Sequence, residues 1–292
     1  MSRYRRRQHS EIKLAFIVTS SGNQEFWERA IRDLWVKSLD DGTETFLAGG
    51  DDFSRFAPNW SSDGLRLVYT RFRPRAVQTD PPSRLVTESV SGGQEETLTA
   101  GSTREYAFDW SADGTGILGN CQTPKPERYS ICLFPIAAAP RAETQPRVVT
   151  SHPDYNLWQM KFSPDQHWVS FNALNTTGRT VSTIYVVPAS GGDWRRITEG
   201  SYWDDKPRWS PDGRTIYFVS NRTGFFNVWG IRFNPANGDT LGAPFRVTDF
   251  ESPGRMIPPV VALMEMSLST DRLVVDITEA SGNIWTLDNV DR

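Results

Sequence analysis

The side chains that could do chemistry fall into a few short stretches. Tyr202, Trp203, Asp204 and Asp205 are consecutive, Asp154 precedes Tyr155, Arg104 stands two residues before Tyr106, and Asp52 is followed by Phe53; Arg222 and Arg255 add cations. Carboxylates beside aromatic rings suit two kinds of work. Paired carboxyl groups about 5 to 9.5 Å apart across a sugar are the apparatus of a glycosidase. Aromatic rings with charges at fixed positions are instead the composition of a recognition surface, because Tyr and Trp bury much area and charges fix register. Other chemistries find less. His9, His152 and His167 have no metal-ligand spacing, and no Gly-x-Ser-x-Gly elbow offers a hydrolase nucleophile. A hard cation held by Asp204 and Asp205 has only a common residue pair behind it, so neither a metal nor a cofactor is expected.

The elements that must position these residues emerge from a repeat. "PNWSSDGLRLVYTR" from Pro58, "FDWSADGTGILGNC" from Phe108, "MKFSPDQHWVSFNA" from Met160, "PRWSPDGRTIYFVS" from Pro207 and "EMSLSTDRLVVDIT" from Glu265 align on Trp60, Trp110, Phe162, Trp209 and Leu268. The period of about 50 residues marks propeller blades. Each copy reads as strand, tight turn, strand. Asp63 and Gly64, Asp113 and Gly114, Asp165, and Asp212 and Gly213 are therefore turn formers, Asp bonding nearby backbone and Gly accepting positive φ. Two more strands follow each copy, clearest in "TIYVVPASGGDWRRITEG" from Thr183, where Gly191-Gly192 make the hairpin turn. A strand from Lys13 to Thr19 and "NIWTLD" from Asn283 complete the count. The expected fold is all-β: a six-bladed β-propeller of four-stranded antiparallel blades, closed by strands from both termini. Residues 13–292 form one propeller domain behind a basic segment, residues 1–12.

Charge and composition narrow the partners. Lys+Arg of 32 against Asp+Glu of 35 leave a net charge of -3, which gives no general pull toward nucleic acid or an anionic membrane. Arg3, Arg5, Arg6 and Arg7 read as a solvated terminus. No run approaches the ~18 apolar residues of a membrane-spanning helix. Residues 12–18 are broken by Lys13 and form no signal peptide, so a cytoplasmic location is expected. Cys121 and Cys132 could bridge neighbouring strands, but two thiols are no disulfide framework, and reduced core cysteines are the expectation.

These repeats resemble the Trp/Phe-Ser-Pro-Asp-Gly propellers of TolB and of the tricorn and dipeptidyl-peptidase families, over roughly Lys13 to Asp288. The tail from Val228 is similar to TolB-like propellers fused to bacterial serine/threonine kinases and winged-helix regulators, although neither a kinase motif nor a basic recognition helix occurs. The resemblance implies a scaffold that binds a protein or peptide, in the periplasm where TolB itself works. In such a propeller, loops leading into each first strand share a face with the central hairpin loops. That face would carry Asp52, Arg104, Tyr106, Asp154, Tyr155, Tyr202, Trp203, Asp204, Asp205 and Arg255, joined by Arg71, Arg73, Arg75, Asn221 and Arg222 from the hairpins. The leading reading is a non-catalytic, monomeric scaffold that holds a protein or peptide at its channel mouth. The alternatives are a carbohydrate-active propeller enzyme, glycosidase or lyase, and a sensory domain detached from a kinase or transcription regulator.

Overall fold

The computed structural model describes residues 13–21, 31–74, 83–101, 104–124, 127–136, 145–175, 181–260 and 264–279. The basic run Arg3–Arg7, His9, Arg75 and the strand anticipated from Asn283 lie outside the described residues. The chain packs as two compact units, residues 1–162 with 189–192, and residues 163–188 with 193–292.

Antiparallel strands make up the first unit. β1 (Lys13–Ser21), β2 (Ile31–Ser38) and β3 (Glu44–Ala48) form one sheet; β4 (Ser54–Trp60), β5 (Arg66–Phe72), β6 (Arg84–Ser89) and β7 (Glu96–Thr97) form the second. The third sheet holds β8 (Tyr106–Trp110), β9 (Gly116–Pro124), β10 (Glu127–Pro135) and β11 (Arg147–Thr150), and β12 (Tyr155–Phe162) follows. The second strands are apolar on both faces because a sheet covers each face. Leu67 and Tyr69 pack with Leu34, Val36, Ala48 and Val86, whereas Val68 and Leu85 pack with Ala107, Trp110, Ile117, Cys132 and Phe134.

The second unit repeats this pattern. β13 (Trp168–Asn175), β14 (Ser182–Pro188) and β15 (Arg195–Arg196) pair in sequence, followed by the four-stranded sheet β16 (Asp204–Trp209), β17 (Thr215–Thr223), β18 (Phe225–Asn234) and β19 (Asp239–Arg246). Two small ladders complete it, β20 (Arg255–Met256) with β23 (Thr278–Glu279) and β21 (Met266–Leu268) with β22 (Leu273–Val275). Ile184, Val186 and Ile197 pack against Trp209, Ile216, Phe218, Ile231 and Phe233. No helix occurs among the described residues.

Ser-x-Asp-Gly builds the same turn each time. In the second sheet Ser61 Oγ donates to Asp63 Oδ1 at 2.6 Å, the Leu65 amide donates to the same oxygen at 2.9 Å, and the Gly64 amide returns to Ser61 O. Gly64, Gly114 and Gly213 take φ of 70°, 70° and 67°; Gln166 occupies the corresponding place at 60°. A second recurring feature is a bulge in the first strands β4, β8 and β16. Ala57 and Lys206 sit in two of these bulges at φ of 52° and 56°, and Gln159 of β12 takes 56°. In the first unit the backbone beside the bulges is used between sheets: the Ala107 amide donates to Thr70 Oγ1 at 3.0 Å, and Trp110 Nε1 donates to Asn59 O at 3.0 Å.

The expectation of reduced cysteines is corrected. Antiparallel register sets Cys121 opposite Ser130 and Cys132 opposite Gly119, so the two cysteines are diagonal neighbours on β9 and β10 with Cα atoms 5.8 Å apart, and they form a cross-strand disulfide. That separation lies within the range a disulfide spans.

Candidate functional site

In the first unit the loop before β4 is organised by Asp51. Its Oδ1 accepts the Phe53 amide at 3.0 Å and Arg55 Nη1 at 2.9 Å, and its Oδ2 accepts Arg71 Nη2 at 3.3 Å. Glu95 closes the other side, with Oε1 2.8 Å from Arg55 Nη2 and Oε2 3.0 Å from Arg71 Nη1. Burial pushes the Asp51 carboxyl up, but bonds from Arg55 and the Phe53 amide, with the Arg55 and Arg71 charges, outweigh it and leave the pKa lowered. Phe53 lies under two guanidinium groups, Arg71 at 3.8 Å and Arg73 at 4.8 Å from its centroid. Asp52, singled out from the sequence, is exposed beside this network. Arg55 and Glu95 were missed because a charged residue in a strand, or in the polar turn before one, looks like any solvated position.

Farther along the same unit the aromatic residues converge. Tyr106, buried on β8, has Phe56 at 6.1 Å, Tyr129 at 5.8 Å and Trp158 at 5.4 Å, and Tyr129 lies 4.5 Å from Trp158. Phe56, Tyr129 and Trp158 keep part of their surface open. At the start of β12 Tyr155 meets His152 edge to face at 4.6 Å, and the Asp154 amide donates to His152 Nδ1 at 3.1 Å. Arg104 is exposed. Its neighbour Glu105 is buried, and burial raises its pKa despite a hydrogen bond from Thr99. Lys161 bonds Asn59 and the Phe108 carbonyl, tying β12 to β4 and β8.

The second unit holds the remaining candidates. Asp204 is 0% exposed and Asp205 6%. Burial raises both carboxyls; Ser220, Arg222 and Thr198 oppose this at Asp204, as Lys206 and Trp203 do at Asp205. Arg222 Nη2 reaches Asp204 at 3.1 Å and Glu199 at 3.6 Å, inside a ring of Tyr202, Phe218 and Trp229 at 5.0 to 5.3 Å. The Trp203 amide donates to Asn221 Oδ1 at 3.0 Å, and its indole N–H donates to Asp205 Oδ2 at 3.2 Å. Tyr202, Asp204 and Arg222 are thus brought together, as are Trp203 and Asp205. Arg255 is exposed on β20, 3.6 Å from Glu279. Both acids are shielded from solvent, and they already hold Arg222 and Trp203. Among the described residues no group of three or more His, Cys, Asp or Glu is arranged to hold a metal, and no helix is long and apolar enough to cross a membrane.

No family model matches the chain. An uncharacterized protein of Agrobacterium fabrum is 32% identical over 187 residues, 63% of this chain and 57% of that protein. The Tol-Pal system protein TolB of Bordetella pertussis is 49% identical over 45 residues, 15% of this chain and 10% of that protein. The chain therefore matches less than two thirds of the length of these relatives. Among solved structures, a TolB-type protein of Agrobacterium tumefaciens superposes with a TM-score of 0.56 at 23% identity, over 81% of this chain and 80% of that one. The fold is that of the TolB-like β-propellers. TolB of Acinetobacter baumannii agrees, with a TM-score of 0.54 at 16% identity over 85% of this chain and 57% of that one. The TolB-like fold is also shared by an oligogalacturonate lyase in complex with manganese, at 14% identity and a TM-score of 0.54 over 76% of this chain and 61% of that one.

Proposed function

We propose that this chain is a single six-bladed TolB-like propeller, closed by strands from both ends, that holds a protein or peptide partner at its channel mouth. The observation that carries the reading is the half-open aromatic cluster of Phe56, Tyr129 and Trp158 around Tyr106. Partly exposed Tyr and Trp rings held rigid by one another are the anchors that dominate protein recognition. The Tol-Pal system protein among the relatives supports a protein partner. The disulfide supports an oxidising compartment such as the periplasm, in place of the cytoplasm. The lyase with the same fold supports the carbohydrate-active alternative, whereas the shielding of Asp204 and Asp205 favours binding. The test is capture from a lysate of the source organism by the parent and by Tyr129→Ala with Trp158→Ala. Capture is expected to fall at least tenfold while the melting transition stays cooperative; equal capture rejects this surface. Formation of unsaturated product from oligogalacturonate would establish the lyase reading instead.

A further inference from the structure

Three arginines form a row across the second sheet. Arg55 of β4 is opposite Arg71 of β5, and Arg71 is opposite Arg84 of β6, so all three leave the same side of the sheet. Like charges directly opposite on neighbouring strands are destabilising. Asp51 and Glu95 each bridge Arg55 and Arg71 and so answer for those two. Arg84 is exposed and has no carboxylate partner among the described residues. Arg73, just past the end of β5, lies with Arg71 over the Phe53 ring. The Ser83 hydroxyl accepts the Glu105 amide at 2.7 Å and donates to the Glu105 carbonyl at 2.9 Å, which brings the segments carrying Arg84 and Arg104 to one joint.

We infer that Arg71, Arg73 and Arg84, with Phe53 among them, form a docking site for a carboxylate-rich peptide segment; this rests on the partner-binding reading above and names the chemistry of the partner. Asp51 and Glu95 already set the pattern, a carboxylate bridging two arginines of the row at 2.8 to 3.3 Å. A carboxylate supplied from outside continues that pattern at Arg84, where charge-assisted bonds form. The Phe53 ring gives the aliphatic stem of Glu or Asp an apolar floor. A continuous polyphosphate fits less well: exposed Asp52 adjoins Phe53, and the chain's net charge is -3.

The test uses the full chain and a fluorescein-labelled peptide of alternating Glu and Gly, followed by anisotropy at low and high ionic strength. A Gln-Gly peptide and a single-stranded oligonucleotide of equal length are the comparison probes. The Glu peptide is expected to bind, to weaken with salt, and to lose about tenfold in affinity in Arg84→Gln and more in Arg73→Gln with Arg84→Gln. Arg84→Gln should melt at or above the parent temperature, because the repulsion from Arg71 is relieved. Equal binding of Glu and Gln peptides, or unchanged binding in the double variant, overturns the inference. Tighter binding of the oligonucleotide, lost in the same variants, overturns it in favour of nucleic acid. If the peptide result fails while lysate capture still depends on Tyr129 and Trp158, the acidic-segment inference falls and the partner reading stands. If peptide binding depends on Arg84 while capture ignores the aromatic pair, the arginine site stands and the aromatic surface falls.

Discussion

The hydroxyl of Tyr69 lies 2.9 Å from Glu88 Oε2 and 2.7 Å from Glu95 Oε1, yet it has one proton to give. Glu95, which also holds Arg55 and Arg71, is the nearer of the two partners. Glu88 is buried, and burial raises its pKa against the opposing hydrogen bond from Tyr69. The two glutamates should therefore respond differently to amide replacement. Glu95→Gln should cost about 2 kcal/mol in urea denaturation, since it weakens charge-assisted bonds to two largely shielded arginines. Glu88→Gln should be close to neutral below about pH 4, where the amide replaces an uncharged carboxyl. With its folded pKa raised, Glu88 contributes stability that is present below the unfolded value of about 4.3 and lost as pH rises through the folded value. The difference between Glu88→Gln and the parent should thus move in the variant's favour as pH rises above about 4. A difference that stays constant over that rise would refute the raised pKa of Glu88.

At the scale of elements, the four turns provide an internal comparison. A Cβ on Gly213 would meet Pro164 only at 3.5 Å, an ordinary contact, so the cost of Gly213→Val is that of the backbone at φ 67°. About 2 kcal/mol is expected. The reciprocal change, Gln166→Gly, should gain about 1 kcal/mol, because Gln166 holds φ 60° with a side chain. Thermal melts of both variants check the pair; shifts of the same sign would refute the turn account. The disulfide joins residues 11 apart in sequence, and dithiothreitol should lower the unfolding free energy by about 3 kcal/mol on loop entropy. The outer strands differ in exposure to pairing: β7 and β15 have two residues each, whereas β19 has eight and exposes Leu241 and Phe245. Gly242 and Pro244 interrupt β19, and a bulge with Pro is a device that keeps a long edge from templating further strands.

For the molecule as a whole, the repeat legible in Trp60, Trp110, Phe162 and Trp209 led to the sheets because turn chemistry and burial on both faces leave a local, periodic trace. The sites left a fainter one. Asp204 and Asp205 invite the same reading in sequence as Asp52, yet the first two are buried and the third is exposed. Nothing local distinguishes a carboxylate that enters a packed first strand from one that stays in the loop before it. The Cys121–Cys132 bond needed the β9–β10 register, which spacing alone does not supply. The bulges were likewise unmarked, since Ala57 and Lys206 share no side-chain chemistry. Yet those bulges constrain how the chain can change. Side chains alternate along a strand, and the extra residue resets which of them face which side. Losing one residue at Ala57 would straighten the strand while Arg55 stays opposite Arg71 and Phe56 opposite Thr70, so what disappears is the backbone displaced by the bulge and not the register. The last strand of a sheet can lengthen, as β19 has, whereas a bulged first strand can drift in composition but loses its shape with any loss of length.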